Sequence, residues 1–253
     1  MNRPAIRLAT LLLGVTLLAA CGDNGDGDPS PTAPSGAGST PEATDSSAAG
    51  LDAADFQALV DNPIFPLSSG GTAVYEGEET DPDTGEVITL RVESTVLPET
   101  DVIAGIEVTV VEVKDYENGE LVESTLDYYA QHVDGTVYYL GERVDDYEGG
   151  EVVGHTGQWL AGEGENLPGV FMPAAPAAGD EFEQERAPGI AEDRSKVIAV
   201  DLEVTTPAGA FAGCIQTEDY DPIGDVTESK YYCPAVGLVR EESEDLRLEL
   251  VSR

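Results

Sequence analysis

The side chains that could carry chemistry in this chain are two histidines, three cysteines and an excess of carboxylates. His155 is followed by Thr156, but a nucleophile and its base must touch in space, so adjacency in the chain does not indicate catalysis. The serine-nucleophile elbow, the zincin His-Glu-x-x-His motif, the P-loop and the dinucleotide fingerprint are all missing from the sequence. The residues therefore predict no catalytic site, no metal site and no cofactor.

The acidic residues leave one kind of catalysis open, because two carboxyl groups are enough for glycoside hydrolysis. Asp201 and Glu203 lie two positions apart in an alternating segment and would share one strand face. Such spacing arises readily by chance among 50 acidic residues, and this face alternates as a solvent-facing one does. A carboxylate-dependent hydrolase is therefore kept as an alternative function.

The first cysteine, Cys21, follows a short apolar run at the amino terminus. Two arginines precede the run, which covers residues 8–20 and is too short to span a bilayer, since a spanning helix needs roughly 20 apolar residues. The run ends in Leu-Ala-Ala-Cys at residues 18–21, which resembles the bacterial lipobox. The resemblance implies cleavage before Cys21, a diacylglyceryl thioether on it and an acyl chain on the new amino group. An ordinary signal peptide with a chance cysteine is the alternative.

The chain divides into three parts on this reading. Residues 1–20 are a signal peptide, and residues 21–50 are the lipidated cysteine followed by a low-complexity tether rich in Gly, Ser, Thr, Pro, Ala and Asp. Such a composition cannot bury enough apolar surface to offset the entropy of ordering. Residues 51–253 are the right length for a single globular domain.

The other two cysteines, Cys214 and Cys233, flank a turn-forming segment at residues 221–225. A turn centred between Ile223 and Gly224 places the two cysteines opposite each other on paired strands, within reach of a disulfide. Disulfides persist in the compartment to which an exported protein goes. We therefore expect a structural Cys214–Cys233 bond; a metal pair or two free thiols are the alternatives.

The chain is strongly acidic, with 12 basic and 50 acidic residues and a formal net charge of -38. A field of this sign repels nucleic acid and anionic lipid surfaces, so we expect no nucleic-acid partner. The acidity is typical of a solvated, soluble exterior. A surface that gathers cations or a basic partner is the alternative.

Alternation of apolar and polar residues predicts antiparallel sheet through most of the chain after residue 50. The pattern is clearest at residues 88–92, 198–204 and 246–250, where every second residue is Ile, Leu or Val. In another apolar segment the phase of the alternation changes between Val110 and Val111, which predicts a β-bulge.

Only one segment predicts a helix. Phe56, Leu59 and Val60 recur at helical spacing within residues 52–60. We therefore expect a mainly β fold, in which a strongly curved antiparallel sheet forms a barrel or half-barrel with a short N-terminal helix. A β-sandwich is the alternative.

Asn118-Gly119 and Asp134-Gly135 are favoured pairs for two-residue hairpin turns. The first turn would place Lys114 opposite Glu123 and Val111 opposite Leu126, and the second would place Ala130 opposite Tyr139 and His132 opposite Val137. Both registers predict one shared apolar face, made of Val111, Val113, Val122, Leu126, Tyr128, Ala130, Val137 and Tyr139. His132 then falls on this face as a core histidine rather than a ligand.

Aromatic residues with polar tips suit the walls of ligand pockets. On the predicted fold, Tyr128, Tyr139, Trp159 and Tyr232 could line a concave apolar pocket, with Tyr231 as the alternative to Tyr232. The competing interpretation is that these side chains fill the core.

Several phrases in the sequence resemble a family of uncharacterised secreted or lipid-anchored bacterial proteins. They include residues 62–67 (NPIFPL), residues 129–142, residues 172–180, and two phrases at residues 207–214 and 231–239. The resemblance spans most of residues 62–242. It implies no activity and no catalytic residue, and only a distant similarity to half-barrel lipoprotein carriers and sensors.

These observations predict a cell-envelope protein that faces outside the cytoplasm and is held to a membrane by lipid on Cys21. The favoured function is non-catalytic binding of an apolar small molecule or of another envelope protein. A carboxylate-dependent hydrolase of envelope polymers and a purely structural surface protein are the alternatives.

Overall fold

The computed structural model describes residues 51–82 and 84–253. The predicted signal peptide over residues 1–20, the lipidation of Cys21 and the predicted tether over residues 21–50 lie outside the described residues. No helix among the described residues is long and apolar enough to cross a bilayer. Regular structure in this part of the chain is almost entirely β-strand.

Seventeen strands run through the described residues. In chain order they are β1 (Phe56–Gln57), β2 (Val60–Asp61), β3 (Pro66–Leu67), β4 (Thr72–Thr80), β5 (Val87–Ile103), β6 (Ile106–Glu117), β7 (Glu120–His132), β8 (Val137–Glu148), β9 (Glu151–Gly154), β10 (Trp159–Leu160), β11 (Gly169–Met172), β12 (Glu181–Glu183), β13 (Arg194–Thr206), β14 (Gly209–Asp221), β15 (Val226–Cys233), β16 (Gly237–Glu242) and β17 (Leu246–Ser252).

Fifteen of these strands form one antiparallel sheet. Its main path runs β10-β8-β7-β6-β5-β4-β17-β16-β15-β14-β13-β12, and β1, β9 and β11 pair with β7 or β8 beside this path. Strands β2 and β3 pair only with each other among the described residues. The predicted mainly β, antiparallel fold is confirmed.

Alternation explains why one face of this sheet is buried. Ile88, Leu90 and Val92 on β5 are each less than 8% exposed, and the predicted apolar run of β17 is buried in the same way. The charged residues between them face water, as expected for a sheet with one wet face. We refer to this buried face below as the inner face.

The sheet curls so that its two limbs meet across the inner face. The ring of Phe65 lies 5.4 Å from that of Tyr129 on β7 and 6.3 Å from that of Tyr232 on β15. The ring of Phe171 on β11 contacts the same two tyrosines, at 5.1 and 6.4 Å. No ladder joins the two ends of the main path among the described residues, so two facing limbs of a sandwich describe this arrangement equally well.

The helix predicted over residues 52–60 is wrong. A 3-10 turn occupies only Ala53–Asp55, and Phe56 then pairs with His132 at the end of β7. An isolated helix of nine residues is marginal in water. Pairing with β7 instead satisfies backbone groups and packs the Phe56 ring 5.3 Å from that of Tyr138.

The registers predicted for the two hairpins are each wrong by one residue. Asn118-Gly119 does form a two-residue turn, but a bulge next to Asp115 places Val111 opposite Asp127 and Lys114 opposite Ser124. A one-residue slip turns every later side chain to the other face. Leu126, Tyr128 and Ala130 therefore project from the outer face of β7, and Asp127 and Tyr129 project from the inner face.

The second hairpin has a longer loop than predicted. The amide of His132 donates to the carbonyl of Thr136, which leaves three residues in the loop, and Gly135 has a φ of 95°. A three-residue loop with glycine at the left-handed position is the next most common hairpin connection. It places Ala130 opposite Tyr138 and Gln131 opposite Val137.

Strand β13 departs from the predicted alternation. Ile198 and Val200 are each 41% exposed, whereas their neighbour Val197 is buried. Shifts of register between Val197 and Leu202 break the alternation here, and Asp201 has a positive φ of 59°. Bulges of this kind cannot be read from a pattern of period two.

The bulge predicted between Val110 and Val111 lies on the partner strand. Residues 97–99 of β5 stand opposite Val110 alone, while β6 itself pairs regularly with β7 through this region. The extra residues include Pro98, which has no amide to give to the ladder. Both faces of β6 are buried near Val110, which explains its continuous apolar run.

The predicted disulfide is confirmed. Strands β14 and β15 pair with Ile215 opposite Tyr232, the register that the turn predicted, and Cys214 and Cys233 are bonded with their α-carbons 4.1 Å apart. In the connecting turn, the Asp221 carboxylate accepts hydrogen bonds from two backbone amides at 2.7 and 2.8 Å. A bond that closes a loop of this size contributes about 3 kcal/mol in the chain-entropy model.

Candidate functional site

Residues 62–71 cross one end of the inner face and form what we call the roof segment. Asn62 holds it in place and is only 1% exposed. Its side-chain nitrogen donates to the carbonyls of Gly135, at 3.0 Å, and Pro173, at 3.1 Å, and its Oδ1 accepts from the amide of Phe65 at 3.2 Å. Because all of these groups are paired, the roof segment has a fixed position over the sheet.

A cavity of about 90 Å³ lies beneath the roof segment. The sheet contributes inner-face residues of β4, β5, β6 and β7, since Ala73 pairs with Ser94 and Val96 pairs with Val111. Most of the lining is apolar. The lining residues are Phe65, Pro66, Leu67, Ser68, Gly71, Ala73, Tyr75, Ser94, Val96, Val111, Tyr129, Val236, Gly237, Leu238 and Arg253.

The cavity opens on the side of Ser68 and Arg253, which are its exposed lining residues. A guanidinium nitrogen of Arg253 donates to the carbonyl of Ala235 at 2.6 Å. Inside, the Tyr75 hydroxyl donates to the carbonyl of Leu238 at 3.0 Å. Burial raises the pKa of Tyr75 well above its usual value, while the nearby Arg253 guanidinium acts in the opposite direction.

Carboxylates next to the cavity in sequence lie on the other face of the sheet. Glu76, Glu93 and Glu112 each stand one position from a lining residue, so alternation turns them outward. There, Arg91 bridges Glu76 and Glu93, and Lys114 binds Glu112, all with N···O distances of 2.7 Å. The cavity is thus shielded from the acidity of the outer face.

A group of aromatic side chains fills the inner face beyond Phe65, and we call it the aromatic cluster. Its members are Phe65, Tyr129, Tyr139, Trp159, Phe171 and Tyr232. Neighbouring rings lie between 4.5 and 6.4 Å apart, mostly in tilted or edge-to-face orientations. Such contacts add roughly 0.5–1.5 kcal/mol per pair beyond burial.

Three of the four residues predicted to line a pocket belong to the aromatic cluster: Tyr139, Trp159 and Tyr232. The fourth, Tyr128, pairs with Val110 and projects from the outer face of β7. All four are at most 2% exposed, and the lining of the cavity contains none of them. The β7 tyrosine that does line the cavity is Tyr129.

Beyond the aromatic cluster lie three buried acids that we call the carboxyl cluster: Asp127, Glu142 and Glu185. Asp127 and Glu142 stand directly opposite each other on β7 and β8. The Tyr139 hydroxyl donates to Asp127 at 3.3 Å, and the Trp159 indole nitrogen donates to Glu185 at 3.2 Å. One oxygen of each acid has no hydrogen-bond partner among the described residues.

Burial makes these acids hold their protons. It raises the pKa of Asp127 to about 7, and hydrogen bonds from Thr125 and Tyr139 only partly oppose it. Burial also raises the pKa values of Glu142 and Glu185 well above the usual range, reinforced by Asp127 for Glu142 and by Asp193 for Glu185. A neutral carboxyl can donate a hydrogen bond, so these groups can share protons at neutral pH.

A buried lysine neutralises a separate set of acids. The Lys230 ammonium lies 3.6 Å from Asp219 and 3.7 Å from Glu228. Burial acts to lower the pKa of Lys230, but Glu241, Asp219 and Glu228 outweigh it and raise that pKa well above its usual value. The Ser195 hydroxyl also donates to Asp219 at 2.6 Å. Lys230 therefore keeps its charge, whereas burial raises the pKa of Glu241 well above its usual value.

The two histidines occupy different surroundings. His132 is half-buried, with its ring 5.3 Å from that of Phe56 and its Nδ1 3.1 Å from an oxygen of Asp134. His155 is exposed, and its Nδ1 lies 2.6 Å from the carbonyl oxygen of Val144. No group of three or more His, Cys, Asp or Glu side chains in the part of the chain that the structure describes is arranged to hold a metal ion.

The acids singled out for hydrolysis, Asp201 and Glu203, are both exposed on β13. They straddle a break in register, so they do not form the regular same-face pair that alternation predicts. Each acid of the carboxyl cluster has one oxygen without a hydrogen-bond partner among the described residues, but these acids are at most 2% exposed. A polymer substrate would not reach them without local opening.

Sequence reasoning missed Phe65, Phe171 and Tyr129. The prolines on either side of the dipeptide Ile64-Phe65 indicate a fixed, non-helical segment, and this signal could have drawn attention to Phe65. Tyr129 could not be found without the bulge that sets its register. Phe171 lies in a segment rich in Ala, Pro and Gly that carries little strand pattern.

Comparison with protein-family models, with curated proteins and with solved structures finds no match to this chain. The resemblance to secreted and lipid-anchored bacterial proteins therefore stays a prediction. Function has to be argued from the geometry of the site, because a fold alone does not imply one.

Proposed function

We propose that this protein is a lipid-anchored component of a bacterial cell envelope, and that it binds an apolar ligand in the cavity without catalysis. The observation that supports the proposal is the cavity itself. Its lining is mostly apolar, a fixed roof segment covers it, and a few polar groups stand at its mouth. Ligand sites share this combination of apolar walls and sparse polar contacts.

The proposal treats the curved sheet as a half-barrel whose inner face is shared between packing and binding. The aromatic cluster fills the middle of that face, which leaves the end beneath the roof segment for a ligand. The cavity of about 90 Å³ is smaller than the roughly 300–1,000 Å³ of pockets that enclose drug-sized molecules. A ligand would therefore insert a single slender chain or part of a ring.

Lipid on Cys21 would hold the domain at a membrane where such ligands concentrate. Two or three acyl chains give stable anchoring, whereas one is marginal. A Cys21→Ser variant is expected to leave the membrane fraction of cells that make the full chain. Retention of that variant in the membrane fraction would count against the anchor.

Binding can be tested with 1-octanol, a neutral ligand with one slender chain. We would use residues 22–253, exported without the lipid so that the disulfide forms and no detergent competes for the cavity. Amide chemical shifts in a nitrogen-15 spectrum would be followed during titration. We expect saturable shifts at the lining residues, with Val96 and Val111 as the reporters on the sheet.

Filling the cavity should remove this binding. Ala73→Leu adds a branched side chain inside the cavity and is expected to weaken octanol binding by about tenfold, equivalent to about 1.4 kcal/mol. Ala210→Leu makes the same change at an exposed position of β14 and should leave binding unaltered. Equal binding by both variants, or no saturable shift in the unmodified protein, would contradict the proposal.

A further inference from the structure

The charge of the cavity lining is unlike that of the rest of the chain. The protein has 50 acidic and 12 basic residues, yet no carboxylate side chain is among the lining residues. Arg253 is the one charged side chain in the lining as the described residues define it. A cavity that only had to be apolar would not need a cation at its mouth.

The Arg253 guanidinium is also free to meet an anion. No carboxylate of the described residues forms an ion pair with it, and its hydrogen bond goes to the uncharged carbonyl of Ala235. The other arginines near this end, Arg91 and Arg240, are paired with glutamates at 2.7 and 2.8 Å. Arg253 thus differs from them in having donors to spare.

One buried carboxyl, Glu241, lies close enough to act on Tyr75, but it is not among the lining residues. The glutamates of β4, β5 and β6 that adjoin lining residues turn to the outer face and form ion pairs there with Arg91 and Lys114. An anion at the mouth would consequently meet one guanidinium and a lining without carboxylate side chains. A guanidinium recognises carboxylate and phosphate groups through two parallel hydrogen bonds.

We propose that the ligand is a single-chain anionic amphiphile, with its apolar chain in the cavity and its carboxylate or phosphate head on Arg253. This inference rests on the proposed function, because it names the class of ligand for the same cavity. The chain enters past the roof segment, and the head stays at the exposed mouth. The repulsive field of an acidic protein would otherwise exclude such ligands, so Arg253 selects them.

The test compares ligands that share one chain length and differ in the head: 1-octanol, octanoate and octyl phosphate at pH 8. Each would be titrated into residues 22–253 of the unmodified protein and of Arg253→Gln, Arg253→Lys and Arg194→Gln. Arg194 is exposed on β13 and outside the lining, so its variant makes the same change of net charge elsewhere. Chemical shifts of the lining amides report binding in every case.

We expect Arg253→Gln to lower the affinity for at least one of the two anions by about fivefold, which is the contribution of a partly exposed charge pair. The affinity for octanol should not change. Arg253→Lys and Arg194→Gln should retain most of the anion affinity, and added salt should reduce it. The anion that loses more affinity identifies the head that Arg253 recognises.

Octanol binding with no effect of Arg253→Gln on either anion would overturn the inference and leave the proposed function standing. An equal loss for octanol and the anions would also overturn it, because Arg253 would then act only on packing. Failure of all three ligands to bind would remove the proposed function together with the inference.

Discussion

The cavity and the carboxyl cluster occupy the same inner face but contain opposite kinds of ionisable group. The cavity excludes every carboxylate side chain from its lining and admits a single arginine, whereas the carboxyl cluster gathers Asp127, Glu142 and Glu185 out of water. Tyr129 connects the two regions through Tyr139. Its ring lines the cavity and packs 4.9 Å from that of Tyr139, whose hydroxyl bonds Asp127.

The difference shows how a very acidic chain can still build an interior. Near the cavity, alternation sends glutamates outward, where they pair with Arg91 and Lys114. Near the carboxyl cluster, the register instead turns acids inward, and they avoid mutual repulsion by keeping protons rather than by pairing with cations. We expect the first region to respond to changes of shape and the second to changes of pH.

The largest effect should come from Phe65, which lines the cavity and also packs in the aromatic cluster. Phe65 contacts Tyr129, Phe171 and Tyr232 and is 7% exposed, so Phe65→Ala leaves a void and is expected to cost about 4 kcal/mol. The free energy of unfolding in urea measures this loss. Phe65→Leu keeps most of the volume and should cost less than half as much. A loss below about 1 kcal/mol for Phe65→Ala would mean that the Phe65 ring does not stabilise the fold.

Much of this contrast lies beyond what the sequence can predict. The mainly β fold, the Cys214–Cys233 register and the buried runs of β5 and β17 follow from period-two alternation and turn chemistry, which act locally. The composition of the inner face depends on bulges, and a bulge next to Asp115 exchanges Tyr128 for Tyr129. A change of phase can indicate that a bulge is near, as at Val110, but it does not fix which residue is bulged or on which strand.

The same limit explains why the sequence predicts the aromatic residues of the inner face better than the buried acids. Aromatic residues are typical of a core or a pocket, so the sequence is enough to predict that Tyr139, Trp159 and Tyr232 lie together. Acids are typical of a solvent-exposed face, and no local sequence pattern distinguishes the buried Asp127 from the exposed acids around it. The role of Arg253 cannot be predicted from the sequence, because it depends on the cavity that the fold forms beside this residue.

The next effect is a dependence of stability on pH that the carboxyl cluster imposes. The pKa of Asp127 is about 7 in the folded protein and about 3.9 in an unfolded chain, so the folded state binds more protons. The stabilisation is therefore complete below about pH 4 and is lost as pH rises through about 7. Between pH 5 and 7 the free energy of unfolding should fall by about 2 kcal/mol from Asp127 alone.

Asp127→Asn isolates this contribution. The asparagine can still accept from Tyr139 but cannot ionise, so the variant should lose less stability than the unmodified protein between pH 5 and 7. The variant keeps the other titratable groups that face this site, which are Glu142, Glu185, Tyr129 and Tyr139. The net negative charge also falls in acid in both proteins. Glu120→Gln, at an exposed position, is the control for net charge. Parallel pH profiles for Asp127→Asn and the unmodified protein would disprove a buried, protonated Asp127.

The smallest effect should come from removing one tyrosine hydroxyl, either that of Tyr139 or that of Tyr129, which form a matched pair. The Tyr139 hydroxyl donates to Asp127, so Tyr139→Phe should cost about 1 kcal/mol. The Tyr129 hydroxyl is buried and has no partner among the described residues, so Tyr129→Phe should leave the free energy of unfolding unchanged or slightly raised. Urea unfolding of both variants at pH 6 compares rings of equal shape on facing strands. Equal losses would mean that the Tyr129 hydroxyl binds an ordered water, and the apolar and carboxyl regions would then be one continuous polar network.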